Sequence, residues 1–183
     1  MQETLDINKL KFLDETGVNL GMTRLYGWGE KSRRVVDYVP DVRFERTSVI
    51  AAIGLSGISA PIAFRGALNG DFFAAYVEQA LAPSLQQDDI LIMDNLSSHK
   101  VDGALKPLYD KGVKVLFLPP YSPDMNPIEL AWSKIKSILR NLKARTHEEL
   151  QIALKTALDA ITLQDIKNWF AHNGYFFTPD ASM

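Results

Sequence analysis

Ile90-Leu91-Ile92-Met93 is a continuous apolar run that stops at Asp94 and Asn95. A strand with no polar alternation is buried on both faces, so it belongs inside a sheet and not at a wet surface. Residues 113–118 read as a second buried strand, and His99 to Lys111, closed by Gly112, reads as a helix between the two. These segments dictate a layered α/β arrangement and place a carboxylate where the first strand ends.

The rest of the chain fits around that unit. Residues 9–15 read as a short strand that also ends in acids, Asp14 and Glu15. Residues 18–42 are broken by glycines and carry a small basic cluster, Lys31, Arg33 and Arg34. Residues 46–55 and 58–65 are two apolar runs joined by Ser56-Gly57, the pattern of an antiparallel hairpin. Asp71 to Leu85 has helical spacing, with Pro83 marking its end. The order, strands first and then helices alternating with strands, predicts a mixed sheet with helices on its faces.

The C-terminal part is helical. Asn126 is a good N-cap and Pro127 suits a first helical position, so a helix is expected from Pro127 to Leu142. Ile128, Trp132, Ile135, Leu139 and Leu142 form one apolar stripe along it. Thr146-His147-Glu148-Glu149 has the form of a capping box opening a second helix. A third, shorter helix would bury Ile166, Trp169 and Phe170.

With 183 residues and 46% apolar content, the chain has enough material for a core without staples. It has no cysteine. Disulfides, thiolate metal sites and thiol nucleophiles are thereby excluded, and any metal must take oxygen or imidazole ligands, which favours Mg2+ or Mn2+. The formal net charge is −2, which does not favour nucleic acid by itself. The charge is uneven, however: between Leu130 and Arg145 stand Lys134, Lys136, Arg140, Lys143 and Arg145 with no acid among them. There is no run long enough to span a membrane and no signal-peptide pattern, so the expected location is cytoplasmic.

The candidate chemistry rests on three acids at the ends of rigid elements. Asp94 follows a buried strand, where ligand sites of α/β sheets concentrate; its bland reading is a turn former beside Asn95. Asp14 has the same setting, and Glu15 next to it points to the opposite face. Glu129 falls where a Glu closes a capping box on Asn126. Against that stands the loop before it, stiffened by Pro119, Pro120, Pro123 and Pro127, which gives rigid support for a carboxylate. Asp88 and Asp89 lie at the wrong end of their strand, and Asp124 reads as a turn former. His99 is either a phosphate contact or a solvated helix start. Trp132, Trp169 and Phe170 read as core, and Trp28 as an exposed contact. Three such acids suit two-metal phosphoryl transfer.

Met93-Asp94-Asn95 with Ser98-His99, followed by Pro119-Pro120-Tyr121-Ser122-Pro123-Asp124-Met125-Asn126-Pro127-Ile128-Glu129, resembles the catalytic signature of DDE transposases. The resemblance is to the mariner-like superfamily and its bacterial insertion-sequence branch, in which 34 residues between the second and third acids, as here, are typical. Asp14-Glu15-Thr16-Gly17 resembles the first-acid motif, and Leu25-Tyr26-Gly27-Trp28 the segment after it. Gly29-Glu30-Lys31-Ser32 departs from the family's pattern at the next turn.

The resemblance implies a ribonuclease H-like mixed sheet flanked by helices, with a catalytic domain over 1–145 and a helical extension over 146–183 packed on it. It implies Asp14, Asp94 and Glu129 as catalytic and metal-binding residues for two Mg2+ or Mn2+ ions per site. The activity implied is cleavage of double-stranded DNA at transposon ends and strand transfer to a TA target. Lys134, Lys136, Arg140, Lys143, His99 and Asn95 are the candidate DNA contacts. Relatives carry helix-turn-helix modules before the catalytic domain; only 13 residues precede Asp14, so a separate N-terminal helix-turn-helix half is expected as a partner, together with a homodimer. The alternatives are a hydrolytic nuclease of the ribonuclease H or resolvase type, and an inactive remnant that binds DNA or dimerises.

Overall fold

Five strands form one sheet in the order β3-β2-β1-β4-β5 in the computed structural model, which describes residues 6–41, 44–95, 101, 103–120 and 122–176. The central strand β1 (Leu10–Val18) runs antiparallel to β2 (Thr47–Gly54) and parallel to β4 (Ile90–Met93). β2 and β3 (Gly57–Arg65) make the expected hairpin, and β4 pairs in parallel with β5 (Lys114–Phe117). Gly57 closes the hairpin at φ 130°, a backbone region that favours glycine.

Helices cover both faces. On one side lie α1 (Gly70–Tyr76), a π-helical stretch Val77–Leu81 and a last turn α2 (Ala82–Ser84), with α3 (Lys106–Asp110) beside them. Phe73, Val77 and Leu81 are fully buried there with Leu13, Ile50, Leu91 and Met93 of the sheet. The expected single helix over 71–85 thus widens in its middle. Pro83 has no N–H to continue the α-helical ladder, and the Ala82 N–H just before it reaches back five residues to the Val77 carbonyl.

On the other face lie α4 (Ile128–Leu142), α5 (His147–Asp159) and α6 (Leu163–His172). Trp132, Ile135 and Leu139 of α4 pack with Leu150 and Leu154 of α5, Ile166 and Phe170 of α6, and Phe12 of β1 in one core. Both α5 and α6 start in capping boxes, Thr146 with Glu149 as expected and Thr162 with Asp165 in addition.

Four expectations need correction. β1 extends to Val18 because its antiparallel partner β2 continues to Thr47. β5 is an edge strand with largely exposed residues, and only its flanks Val113 and Leu118 are buried. Leu142 ends the α4 stripe in solvent, in the last turn before Lys143 adopts a left-handed cap at φ 51°. Asn126 does not cap α4 with its side chain; the cap position falls on Pro127. Of the helix expected over 99–111, residues 99–100 and 102 lie outside the described residues. No helix among the described residues is long and apolar enough to cross a membrane.

Candidate active site

The sheet register brings the first two acids together. Leu13 pairs with Met93 in the last bridge between β1 and β4, so Asp14 and Asp94 are the next residue along each of two adjacent parallel strands. The Leu118 N–H donates to the Met93 carbonyl at 2.8 Å, which starts the proline-rich loop beside Asp94. That loop passes through a 3-10 turn, Pro123–Met125, and delivers Glu129 in the first turn of α4. A cavity of about 450 Å³ is lined by Asp14, Asp94, Asn95, Asn126 and Glu129 together with the loop's prolines.

The electrostatics agree with this convergence. Burial pushes the Asp14 carboxyl up to about 7. The Glu15 backbone N–H opposes the rise, the nearby Glu129 and Asp94 carboxylates add to it, and the Trp132 indole, donating to Asp14 Oδ2 at 3.0 Å, opposes it again. Crowded carboxylates at a half-buried position call for a cation.

The donor set suits a hard divalent ion: oxygen atoms only, with no thiolate. Among the described residues no three His, Cys, Asp or Glu side chains could hold a single ion. The three acids line one cavity without forming a closed protein cage. Asn126 Oδ1 is buried beside them without a hydrogen-bond partner among the described residues.

Glu129 makes no capping box, because no side-chain cap exists at the start of α4; its carboxylate is left for the cavity. Glu15 points away as expected, to Arg46 Nη2 and Ser48 Oγ, each at 2.7 Å. Asp89 is a turn former whose Oδ2 accepts from the Gln86 N–H at 2.8 Å. Asp124 is exposed in the 3-10 turn. His99 lies outside the described residues, and Asn95 is exposed at the cavity.

The basic helix face divides in two. Lys134 binds Asp165 of α6 at 2.7 Å, and Lys143 binds Asp37 at 2.6 Å. The Lys134 ammonium, with the Thr162 backbone N–H, holds Asp165 down to about 2. Arg145 Nη1 donates to the Leu20 carbonyl at 2.7 Å. Lys136 and Arg140 form no ion pair among the described residues.

Residue-by-residue reading of the sequence missed two features of the site. Trp132 was legible only as core, although it stands three residues after Glu129 on one helix face, and a buried indole N–H needs an acceptor. The turn before Glu129 is also held from a distance. Asn173 Nδ2 donates to the Asp124 carbonyl, and the Tyr175 hydroxyl donates to the Met125 carbonyl at 2.9 Å. Nothing local in the sequence signals either contact.

Residues 9–151 match the DDE superfamily endonuclease family. No curated protein sequence matches the chain. Among solved structures, the Mos1 transposase paired-end complex with the left transposon end is similar at a TM-score of 0.70 and 14% identity, over 96% of this chain and 59% of that one. The Mos1 mariner paired-end complex with Mn has a TM-score of 0.68 and 15% identity, over 96% of this chain and 59% of that one. The catalytic domain of Mos1 mariner transposase has a TM-score of 0.61 and 14% identity, over 97% of this chain and 88% of that one. The chain thus spans 59% of the length of the first of these proteins, and the fold they share is the ribonuclease H-like sheet with its flanking helices.

Proposed function

The chain belongs to the DDE superfamily endonucleases, and on that premise we propose that it is the catalytic part of a mariner-like transposase of the insertion-sequence type. Its reaction would be cleavage of double-stranded DNA at a transposon end, followed by transfer of the freed 3′ end to target DNA. The observation that carries this reading is the meeting of Asp14, Asp94 and Glu129 at one cavity.

Asp14, Asp94 and Glu129 would hold Mg2+ or Mn2+, two ions per site. When bound, such ions activate the attacking oxygen and stabilise the leaving 3′-oxygen. The chain's own part is positioning. β1 and β4 fix two carboxylates in register, and the proline-rich loop fixes the third. Burial raises the Asp14 carboxyl to about 7, so a cation would favour its ionised form. Burial and hydrogen bonding to Trp132 keep its carboxylate in one orientation.

For DNA, Lys136, Arg140 and Asn95 are the side chains we assign to phosphate positioning. Lys134 and Lys143 are engaged by Asp165 and Asp37, so their part in DNA binding would be secondary. His99 remains a proposed contact from the same motif. We also propose a homodimer and a separate helix-turn-helix half as partners. The exposed Tyr26, Trp28, Val36 and Tyr38 after β1 support a protein partner.

The test is a nicking and strand-transfer assay on supercoiled plasmid with Mg2+ or Mn2+, comparing wild type with Asp94→Ala. Metal-dependent nicks and joined products, both lost in the variant, are expected. Nicks without joining would make the chain a hydrolytic nuclease. Neither product, even with an added helix-turn-helix half, would overturn the enzymatic reading.

A further inference from the structure

Asn126 is only 4% exposed, and its Oδ1 has no hydrogen-bond donor among the described residues. A buried acceptor without a donor destabilises a fold unless something outside the chain fills it. The residue is not free to turn away. Its backbone N–H donates to the Pro123 carbonyl at 3.0 Å, and its carbonyl accepts from the Glu129 N–H at 3.1 Å. Nor does the side chain serve α4, which starts without a side-chain cap. Asn126 lines the acid cavity beside Asp14, Asp94 and Glu129. It also lines a neighbouring cavity of about 510 Å³ that shares Glu129 with the first.

The geometry points to Asn126 as a positioning residue of the divalent-cation site, its Oδ1 accepting a hydrogen bond from water on a cation that the acids would hold. This rests on reading the three acids as metal ligands. The three acids line the cavity without forming a closed cage, so an ion held there would keep water among its ligands. Mg2+ in particular keeps several waters, and these need acceptors to fix them. An amide oxygen supplies an acceptor without adding charge where Asp14 already faces the repulsion of two carboxylates. It also accounts for an Asn that sits at a helix start without capping it.

The experiment is a Mn2+ titration followed by the electron paramagnetic resonance signal of the free ion, with folding checked by circular dichroism. Wild type, Asp94→Ala, Asn126→Ala, Asn126→Asp and Asn126→Leu are compared. Asn126→Ala should bind Mn2+ roughly 10–100-fold more weakly. Asn126→Asp keeps the shape and an oxygen acceptor and should restore affinity, whereas Asn126→Leu, close in volume but without oxygen, should bind as weakly as Asn126→Ala; a packing role alone would let Asn126→Leu restore it. Should Asn126→Ala fail to fold, Asn126→Leu carries the same expectation. Wild-type affinity in a folded Asn126→Ala or Asn126→Leu would overturn the inference and leave the acid site standing. No Mn2+ binding by wild type would overturn the acid site itself.

Discussion

The indole N–H of Trp132 donates to Asp14 Oδ2 at 3.0 Å, joining helix α4 to the central strand across 118 residues of sequence. Trp132 is only 2% exposed, so this bond forms away from competing water. One helix therefore presents a carboxylate, Glu129, to the cavity and one turn later steadies a second carboxylate from behind. The packing of α4 on the sheet and the geometry of the acids are a single structural variable.

Trp132→Phe keeps an aromatic ring and removes the donor. A hydrogen bond to a charged group is worth about 1.5–3 kcal/mol. Metal-dependent nicking should fall roughly tenfold or more. The acid limb of its pH profile should move up, because ionised Asp14 has lost a partner. An unchanged pH profile with lower activity would mean that the indole only packs.

Asp14 makes stability depend on pH in a direction opposite to most carboxylates. Its value is raised from 3.8 to about 7, so the folded chain holds the proton more tightly than the unfolded one. Its contribution to stability is lost as pH rises through that window. In EDTA, Asp14→Asn should therefore raise the melting temperature at about pH 8, by on the order of 2–4 kcal/mol of stability, and the gain should vanish toward about pH 4. Thermal melts across this range check it, and a gain independent of pH would refute the charge argument.

Added Mn2+ or Mg2+ should stabilise the wild type at neutral pH, since a ligand that binds only the folded state raises its stability. The rise in melting temperature should be small below the Asp14 transition, where protons compete, and absent in Asp94→Ala. Differential scanning calorimetry with and without EDTA measures both.

The basic residues of α4 should separate by salt dependence. Each lost phosphate contact lowers the slope of log affinity against log salt by about 0.9 on duplex DNA. Lys136→Ala and Arg140→Ala should each show that reduction. Lys134→Ala and Lys143→Ala should leave the slope nearly unchanged, because their partners are Asp165 and Asp37. Fluorescence anisotropy over a salt series decides this; equal slopes for all four would refute the division.

What could be read beforehand was whatever depends on neighbours in sequence. The hairpin from Thr47 to Arg65, the Thr146 capping box and the strand ending at Asp94 all follow from local pattern. Asp14 and Asp94 could be nominated because each follows a strand, but only the register of β1 on β4 makes them adjacent. The reading of β5 as buried failed because its residues are largely apolar while its position at the sheet edge is a tertiary fact. Lys134 looked free because Asp165 lies 31 residues away, and Lys143 because Asp37 lies 106 away. Asn126 carried the signal of a helix cap, and the turn from Pro123 to Met125 shifted the cap to Pro127.

The contacts from Asn173 and Tyr175 to the carbonyls of Asp124 and Met125 also impose an order in time. A chain emerging from the ribosome displays Asp14, Asp94 and Glu129 well before it displays the residues that fasten the turn ahead of Glu129. Until residue 175 is out and α6 has docked, the nascent polypeptide holds all three acids but not their setting. The setting of the acid cavity is therefore completed by residues that follow Glu129 by more than 40 positions, so a polypeptide cut short before Asn173 would carry the acids without the contacts that fasten the turn ahead of Glu129.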